Sequence, residues 1–217
     1  MPKREDVSIS VIRRLPRYYR VLGDLIKAGT VRISSRELAQ IMRLTASQIR
    51  QDLNCFGGFG QQGYGYNVAT LQGEIGNILG IDQAFPLILI GAGNLGQSVA
   101  RHVDFPSKGF RLIGAFDSNP RQWGKTIRGV TVQDTANLEH FCGEYSPRVA
   151  MMCTPTAGTP EIVAKLVGLG IQGFWNFSNY DILADYPDVS VENVHIGDSL
   201  MTLCYQMNKQ LEKPKEK

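Results

Sequence analysis

Leu87-Ile88-Leu89-Ile90-Gly91-Ala92-Gly93-Asn94-Leu95-Gly96 is the stretch on which the fold turns. Four consecutive apolar residues read as a strand buried on both faces, as a parallel sheet requires. They run straight into Gly-x-Gly-x-x-Gly, and Val99 and Ala100 continue as apolar positions of a following helix. The glycine pattern gains its meaning from that strand before and helix after. Gly91 allows the tight turn, Gly93 lets a pyrophosphate approach the backbone, and Gly96 lets helix and strand pack closely. The helix start, reached through Ala92, Asn94 and Leu95, supplies free amides and the positive end of a dipole. A second strand, Leu112 to Phe116, ends in Asp117. A carboxylate about 20 residues past the glycines can accept both hydroxyls of an adenosine ribose and would repel a 2′-phosphate. NAD(H) is therefore expected over NADP(H), with Arg121, four residues further on, pulling the other way.

Downstream the pattern continues as a doubly wound α/β fold should. Val149 to Cys153 reads as a strand, Glu161 to Leu169 as a helix stopped by Gly170, and Gly173 to Phe177 as a further strand. Ligands in such folds sit at the strand ends, so Ser118, Cys153, Thr154, Pro155, Asn176 and Phe177 join the glycines and Asp117 as expected cofactor contacts. Proline and aromatics at those ends can equally be packing residues. Leu200, Leu203, Cys204 and Met207 form one stripe of a last helix, of a kind that ordinarily packs on its own domain.

Upstream the chemistry changes. Residues 1–80 hold 11 Lys and Arg against 6 Asp and Glu, whereas residues 81–217 hold 12 against 14. A basic front on a mildly acidic back points to a polyanion partner for the front. Leu15, Tyr18, Tyr19, Leu22, Leu25 and Ile26 recur at helical spacing, with Pro16 in the first turn and Gly29 as the stop. Ser34-Ser35-Arg36-Glu37 fits a capping box, and Leu38, Ile41 and Met42 mark the buried face behind it. Thr45-Ala46-Ser47-Gln48 fits a second box, opening a helix with Ile49 and Leu53 inward and Ser47, Gln48, Arg50 and Gln51 outward. Two capped helices joined by Arg43-Leu44 read as a helix-turn-helix. Arg50 suits a guanine edge, Gln48 an adenine, and Ser47 and Thr45 phosphates. Arg13, Arg14, Ser34 and Ser35 complete the set expected at DNA. Five glycines between Gly57 and Gly65, interleaved with aromatics, predict a tight hairpin placed like a wing, with Gln61, Gln62 and Gly63 at its tip. Val68, Leu71, Ile75, Ile78 and Leu79 then mark one more helix before a linker from Gly80 to Phe85.

Several function classes are disfavoured. The charged start Met1 to Asp6 leads into no apolar segment, and no run of about 18 apolar residues follows, so neither secretion nor a membrane span is expected. Cys55, Cys142, Cys153 and Cys204 are scattered and match no metal spacing with His102, His140 or His195, so no metal is expected and the thiols read as buried and reduced in a cytosolic protein. Tyr205 and Lys209 have the Tyr-x-x-x-Lys spacing of short-chain dehydrogenases, but they follow the completed sheet, so an enzyme is the weaker reading.

Taken in order, Arg14 to Arg20, Ile33 to Leu38, Gln48 to Leu53, Gly60 to Val68, Gly91 to Gly96, Ala115-Phe116-Asp117, Asn176-Phe177 and Val191 to Val194 resemble the Rex family of redox-sensing repressors, from about Ile12 to Met207. The resemblance implies a winged-helix DNA-binding domain over 1–80, a Rossmann NAD(H) domain over 81–196, and a swapped C-terminal helix and tail over 197–217. It implies a homodimer on a palindromic operator in double-stranded DNA, released by NADH and held by NAD⁺. It also implies that Asp198 to Lys209 inserts between the partner's two domains, which reverses the default for that helix. Gln61 and Gln62 stand where the family's wing usually carries a cation. His102 and His195 replace a tyrosine and an aspartate that some members pair with the arginine matching Arg20 as a switch latch.

Overall fold

The computed structural model describes residues 7–57, 59 and 64–211. The chain forms two compact units, Met1–Gln83 and Ala84–Lys217. The expected wing tip, Gln61, Gln62 and Gly63, lies outside the described residues.

The first unit runs α1 (Ile9–Ile12), α2 (Leu15–Lys27), β1 (Arg32–Ile33), α3 (Ser35–Met42), α4 (Ala46–Asn54), β2 (Tyr66–Asn67) and α5 (Val68–Leu79). Leu15, Tyr18 and Leu22 of α2 are fully buried, while Ile26, placed on the same face by spacing, is 38% exposed. On α3 the buried residues are Leu38, Ala39 and Met42. Ile41 is 49% exposed, because the helix turns its 38–39–42 stripe inward. Ser34 caps α3 with both arms of the box: its Oγ accepts from the Glu37 amide at 3.1 Å, and Glu37 accepts from the Ser34 amide at 2.8 Å. Between α3 and α4 the chain reverses at Arg43, which takes the left-handed conformation (φ 52°, ψ 46°) usually left to glycine. The described end of the expected hairpin, β2, pairs antiparallel with β1, Ile33 opposite Tyr66. The end of the glycine-rich segment is thus tied to the strand that precedes α3.

The second unit is a seven-stranded sheet in the order β5-β6-β4-β3-β7-β8-β9, with β3 (Phe85–Ile90), β4 (Phe110–Asp117), β5 (Thr126–Ile127), β6 (Val130–Asp134), β7 (Val149–Met152), β8 (Gly173–Asn176) and β9 (Ser190–Asn193). All described pairings are parallel except the β5–β6 hairpin. Leaving that hairpin strand aside, the order is that of dinucleotide-binding folds, and it reverses between β3 and β7. Alternate residues of β3 feed opposite cores. Ile88 and Ile90 pack with Leu138 and Phe141 of α7 (Leu138–Tyr145) and Val163 and Leu166 of α8 (Thr159–Gly168). Leu87 and Leu89 pack with Ala100 of α6 (Asn94–His102) and Phe105. The sequence reading missed β5, β6 and α7, although Val130-Thr131-Val132 alternates and Leu138, Phe141 and Cys142 have helical spacing. α9 (Ile182–Asp185) is a single turn, and α10 (Ile196–Leu211) closes the described chain. α10 buries none of its residues, with Leu200 66%, Tyr205 67% and Leu211 80% exposed, and its Cys204 is exposed where a buried thiol was expected, because nothing among the described residues packs on the helix. Elsewhere in the unit, Phe85, Leu87, Phe105, Phe110, Trp175 and Val191 line an apolar groove of about 820 Å³.

Among the described residues, one charge is buried in the first unit's core. Asp52 of α4 has no exposed surface and accepts from Arg14 Nε and Nη2, both at 2.7 Å, from Tyr18 Oη at 2.9 Å and from Gln48 Nε2 at 2.8 Å. Burial pushes its carboxyl up, but the bonds from Arg14, Gln48 and Tyr18 outweigh burial and hold it below the usual carboxylate range. A group with a depressed folded pKa adds stability above its unfolded value, about 3.9, and loses it as pH falls through the folded value. Asp52→Asn should therefore flatten the acid limb of the unfolding curve below about pH 4. Asp52→Ala should cost about 3 kcal/mol by leaving Arg14 and the Tyr18 hydroxyl without their acceptor. Urea denaturation across pH measures both, and wild-type stability in Asp52→Ala would show the cluster to be dispensable.

Candidate functional site

A cleft of about 870 Å³ opens at the carboxyl ends of the parallel strands. Gly91, Gly93, Asp117, Ser118, Cys153, Thr154 and Pro155 of the expected contacts line it. Gly91 has φ +90°, and a Cβ there would stand 2.6 Å from the Cys153 carbonyl oxygen, so the turn passes too close to β7 for any side chain. A Cβ on Gly96 would meet the Gly91 carbonyl oxygen at 2.0 Å, which presses α6 onto its own loop. Gly93 differs: a Cβ would meet nothing within 4 Å, so its missing side chain leaves open space in the cleft wall. It is also the N-cap of α6 and makes no side-chain cap bond. Open space beside uncapped amides at a helix start fits a pyrophosphate. Asp117 ends β4 with Oδ1 accepting from the Asn119 amide at 2.8 Å. The fit to an adenine dinucleotide thus rests on backbone at one end and a carboxylate at the other.

Other expected contacts take different places. Ala92 is fully buried, Asn94 and Leu95 are exposed, and none of these three, nor Gly96, is among the residues that line the cleft. Asn176 corrects the sequence reading: it is fully buried, and its amide is committed within the protein. Its Nδ2 donates to the Tyr180 carbonyl at 2.9 Å and to Asn193 Oδ1 at 2.8 Å, and its Oδ1 accepts from the Ser178 amide and hydroxyl. That residue fastens β8 to β9 instead of facing a ligand. Phe177 packs edge-on against Trp175 with ring centroids 4.7 Å apart and is absent from the cleft lining. Cys153 does line the cleft, and burial pushes its thiol up to about 12. A thiol raised in this way stays neutral where it borders the cleft. Sequence reading missed Asn119, Gln122, Asp134, Thr135, Glu161 and Lys165, which also line the cleft. The strand alternation ending at Asp134 was the available signal.

In the first unit α4 presents Ser47, Arg50 and Gln51 to the exterior. Thr45 caps the helix by accepting from the Gln48 amide at 3.1 Å. The return arm of that box is absent, because the Gln48 side chain turns to Asp52. Arg14 likewise is spent on Asp52, so both depart from the role of free DNA contacts. A buried carboxylate claims donors more strongly than solvent does, which no spacing rule reveals. Arg50 Nη1 donates to Ser35 Oγ at 3.2 Å, bringing together two residues expected at DNA from different helices. Arg13 is exposed at the end of α1, and Ser34 is occupied as the α3 cap. Of the expected switch residues, Arg20 is exposed on α2. His102 ends α6 with Nδ1 2.8 Å from the Ser98 carbonyl oxygen. His195 is exposed just before α10, and no hydrogen bond joins the two histidines among the described residues. Among those residues no group of three or more His, Cys, Asp and Glu could hold a metal ion, and no helix is long and apolar enough to cross a membrane.

Two family models match. "Putative DNA-binding protein N-terminus" covers residues 6–54 and "CoA binding domain" covers residues 82–180. The redox-sensing transcriptional repressor Rex of Clostridioides difficile strain 630 is 50% identical, covering 94% of this chain and 96% of its own. That of Clostridium perfringens strain SM101 is 47% identical over 96% of this chain and 98% of its own. A crystal structure of RSP in complex with β-NAD⁺ and operator DNA is 49% identical and superposes with a TM-score of 0.87 over 94% of both chains. RSP in complex with β-NADH gives 46% and 0.86, over 94% of this chain and 96% of that one. With repressor relatives at 47–50% identity covering 94–96% of its length, this chain belongs to the Rex family of redox-sensing transcriptional repressors.

Proposed function

We propose that this chain is a cytoplasmic homodimeric repressor that binds a palindromic operator through α4 and reports the NADH/NAD⁺ balance through its cleft. The observation that carries the reading is that one chain holds an exposed reading helix and, in its other unit, a cleft whose glycine loop leaves room for a pyrophosphate. Gly93, the α6 amides and Asp117 would hold the dinucleotide. Nicotinamide supplies the signal, being cationic when oxidised and neutral when reduced. Coenzyme A fits less well, because its adenosine ribose carries a 3′-phosphate that would face the Asp117 carboxylate. The Tyr205 and Lys209 pair lies on α10 outside the cleft lining, which disfavours a dehydrogenase. Ser47, Thr45, Gln51, Arg50 and Ser35 form the DNA-facing set, which Arg13, Gln61, Gln62 and Gly63 are proposed to join, while Arg14 and Gln48 support α4 from within. Arg20, His102 and His195 are proposed to take part in coupling the two functions.

The apolar stripe of α10, exposed throughout, supports exchange of this helix between protomers. The uncovered apolar groove on the sheet supplies a surface of matching chemistry for the partner's helix. A chain ending at residue 195 should run as a monomer in light scattering where the full chain runs as a dimer, and a dimeric truncation would remove α10 from the interface.

NADH titrated into a complex of the protein with a candidate palindromic operator should release the DNA, and excess NAD⁺ should oppose release. Arg50→Ala should lose the operator over nonspecific DNA by about 1–3 kcal/mol while binding NADH as wild type does, since one bidentate guanine contact is lost. An unchanged specificity ratio in competition binding would place Arg50 off the bases. Asp117→Ala should weaken NADH about tenfold or more, as expected when a charged acceptor of hydroxyls is removed, and should relax preference over NADPH. Calorimetry with both cofactors checks this, and equal preference before and after the change would mean that Asp117 faces elsewhere.

A further inference from the structure

Strands β4 and β6 end together, and Asp117 lies in register with Asp134. In-register neighbours on adjacent strands are about 4.8 Å apart and point to the same face. Both residues line the cleft and both are half-buried. Each is fixed by the same device, Oδ1 accepting the backbone amide two residues on: Asn119 at 2.8 Å for Asp117 and Ala136 at 3.0 Å for Asp134. Thr135 Oγ1 donates a longer bond, 3.4 Å, to Asp134. Two turns of one kind on neighbouring strand ends thus set two carboxylates side by side.

We infer that Asp134 is a second specificity-determining residue of the cleft, forming with Asp117 a paired carboxylate edge that admits an adenosine ribose with free hydroxyls and rejects one bearing a 2′- or 3′-phosphate. The inference rests on the NAD(H) reading of the cleft and deepens it. A single carboxylate could be offset by nearby cations. Lys165 lines the cleft from α8, and the Lys125 ammonium donates at 2.7 Å to Gln122 Oε1, itself in the lining. With Asp117, Asp134 and Glu161 present, three carboxylates face the single ammonium of the lining, with Arg121 exposed on the adjoining turn Pro120–Gln122, so the lining itself gives a phosphate no net attraction. Two like charges a few ångströms apart at an open protein surface interact by roughly a tenfold factor in affinity.

Asp134 also caps the single turn Thr135–Asn137, and asparagine can keep that cap while removing the charge. Asp134→Asn therefore separates the electrostatic role from the structural one. Full-length wild type, Asp134→Asn, Asp117→Asn and the double variant would be titrated with NADH and with NADPH by calorimetry, alongside thermal unfolding. Asp134→Asn should shift the NADPH-to-NADH affinity ratio about fivefold to tenfold towards NADPH with an unchanged melting temperature, and the double variant should exceed either single change. A ratio equal to that of wild type would overturn the role of Asp134 while leaving the NAD(H) reading intact. Wild type that binds no NADH would overturn the reading itself.

Discussion

The second unit depends on one close approach. At Gly91 the chain leaves β3 and passes so near the Cys153 carbonyl that a Cβ would sit 2.6 Å from it, and at Gly96 the returning helix leaves only 2.0 Å to the Gly91 oxygen. The first contact holds the glycine loop against the end of β7, the strand on the far side of the order's reversal. The second seats the start of α6 over the end of β3. Together they fix where uncapped amides emerge and so where the cleft opens. Gly93, which meets nothing, is the complement: its value lies in space left for something else.

In the first unit the corresponding constraint is electrostatic. Burying a carboxylate is costly unless its lone pairs are filled, and Asp52 has four donors to do so. Three of the elements in play, the turn before α2, α2 itself and the first turn of α4, each contribute one donor residue to it. That ties the helix with the exposed reading face to the helix at the centre of the core. It also redefines residues with the look of DNA contacts. Arg14 and Gln48 are spent on orientation, so the outward chemistry of α4 narrows to Ser47, Arg50 and Gln51.

The two apolar surfaces left without cover have a common origin. Helices α7 and α8 pack on one face of the sheet, and α6 on the other lies beside β3. Trp175 of β8, on the α6 side, consequently borders an open groove. The same chain carries a sixteen-residue helix with no buried residue. An isolated helix of that length is marginal in water, so a packed apolar face is what would keep α10 helical.

Several features whose physics is local were legible in the sequence. Four apolar residues running into the glycine loop, Asp117 at the next strand end, and the Ser34–Glu37 box depend on neighbours within a few residues, and each stands where spacing placed it. Sequence order and periodicity likewise separated a basic helical front from a doubly wound back. Only tertiary structure decided which polar side chains were free. Asn176 reads as a strand-end ligand until Tyr180, Ser178 and Asn193 take up its amide, and Gln48 reads as a base contact until a residue one helical turn later proves buried and charged. Asp134 shows the reverse: an unremarked acid becomes a cleft residue because β6 lies in register beside β4. A side chain's availability is set by competition among partners distant in the chain, and those partners are fixed only by the packing that brings them together.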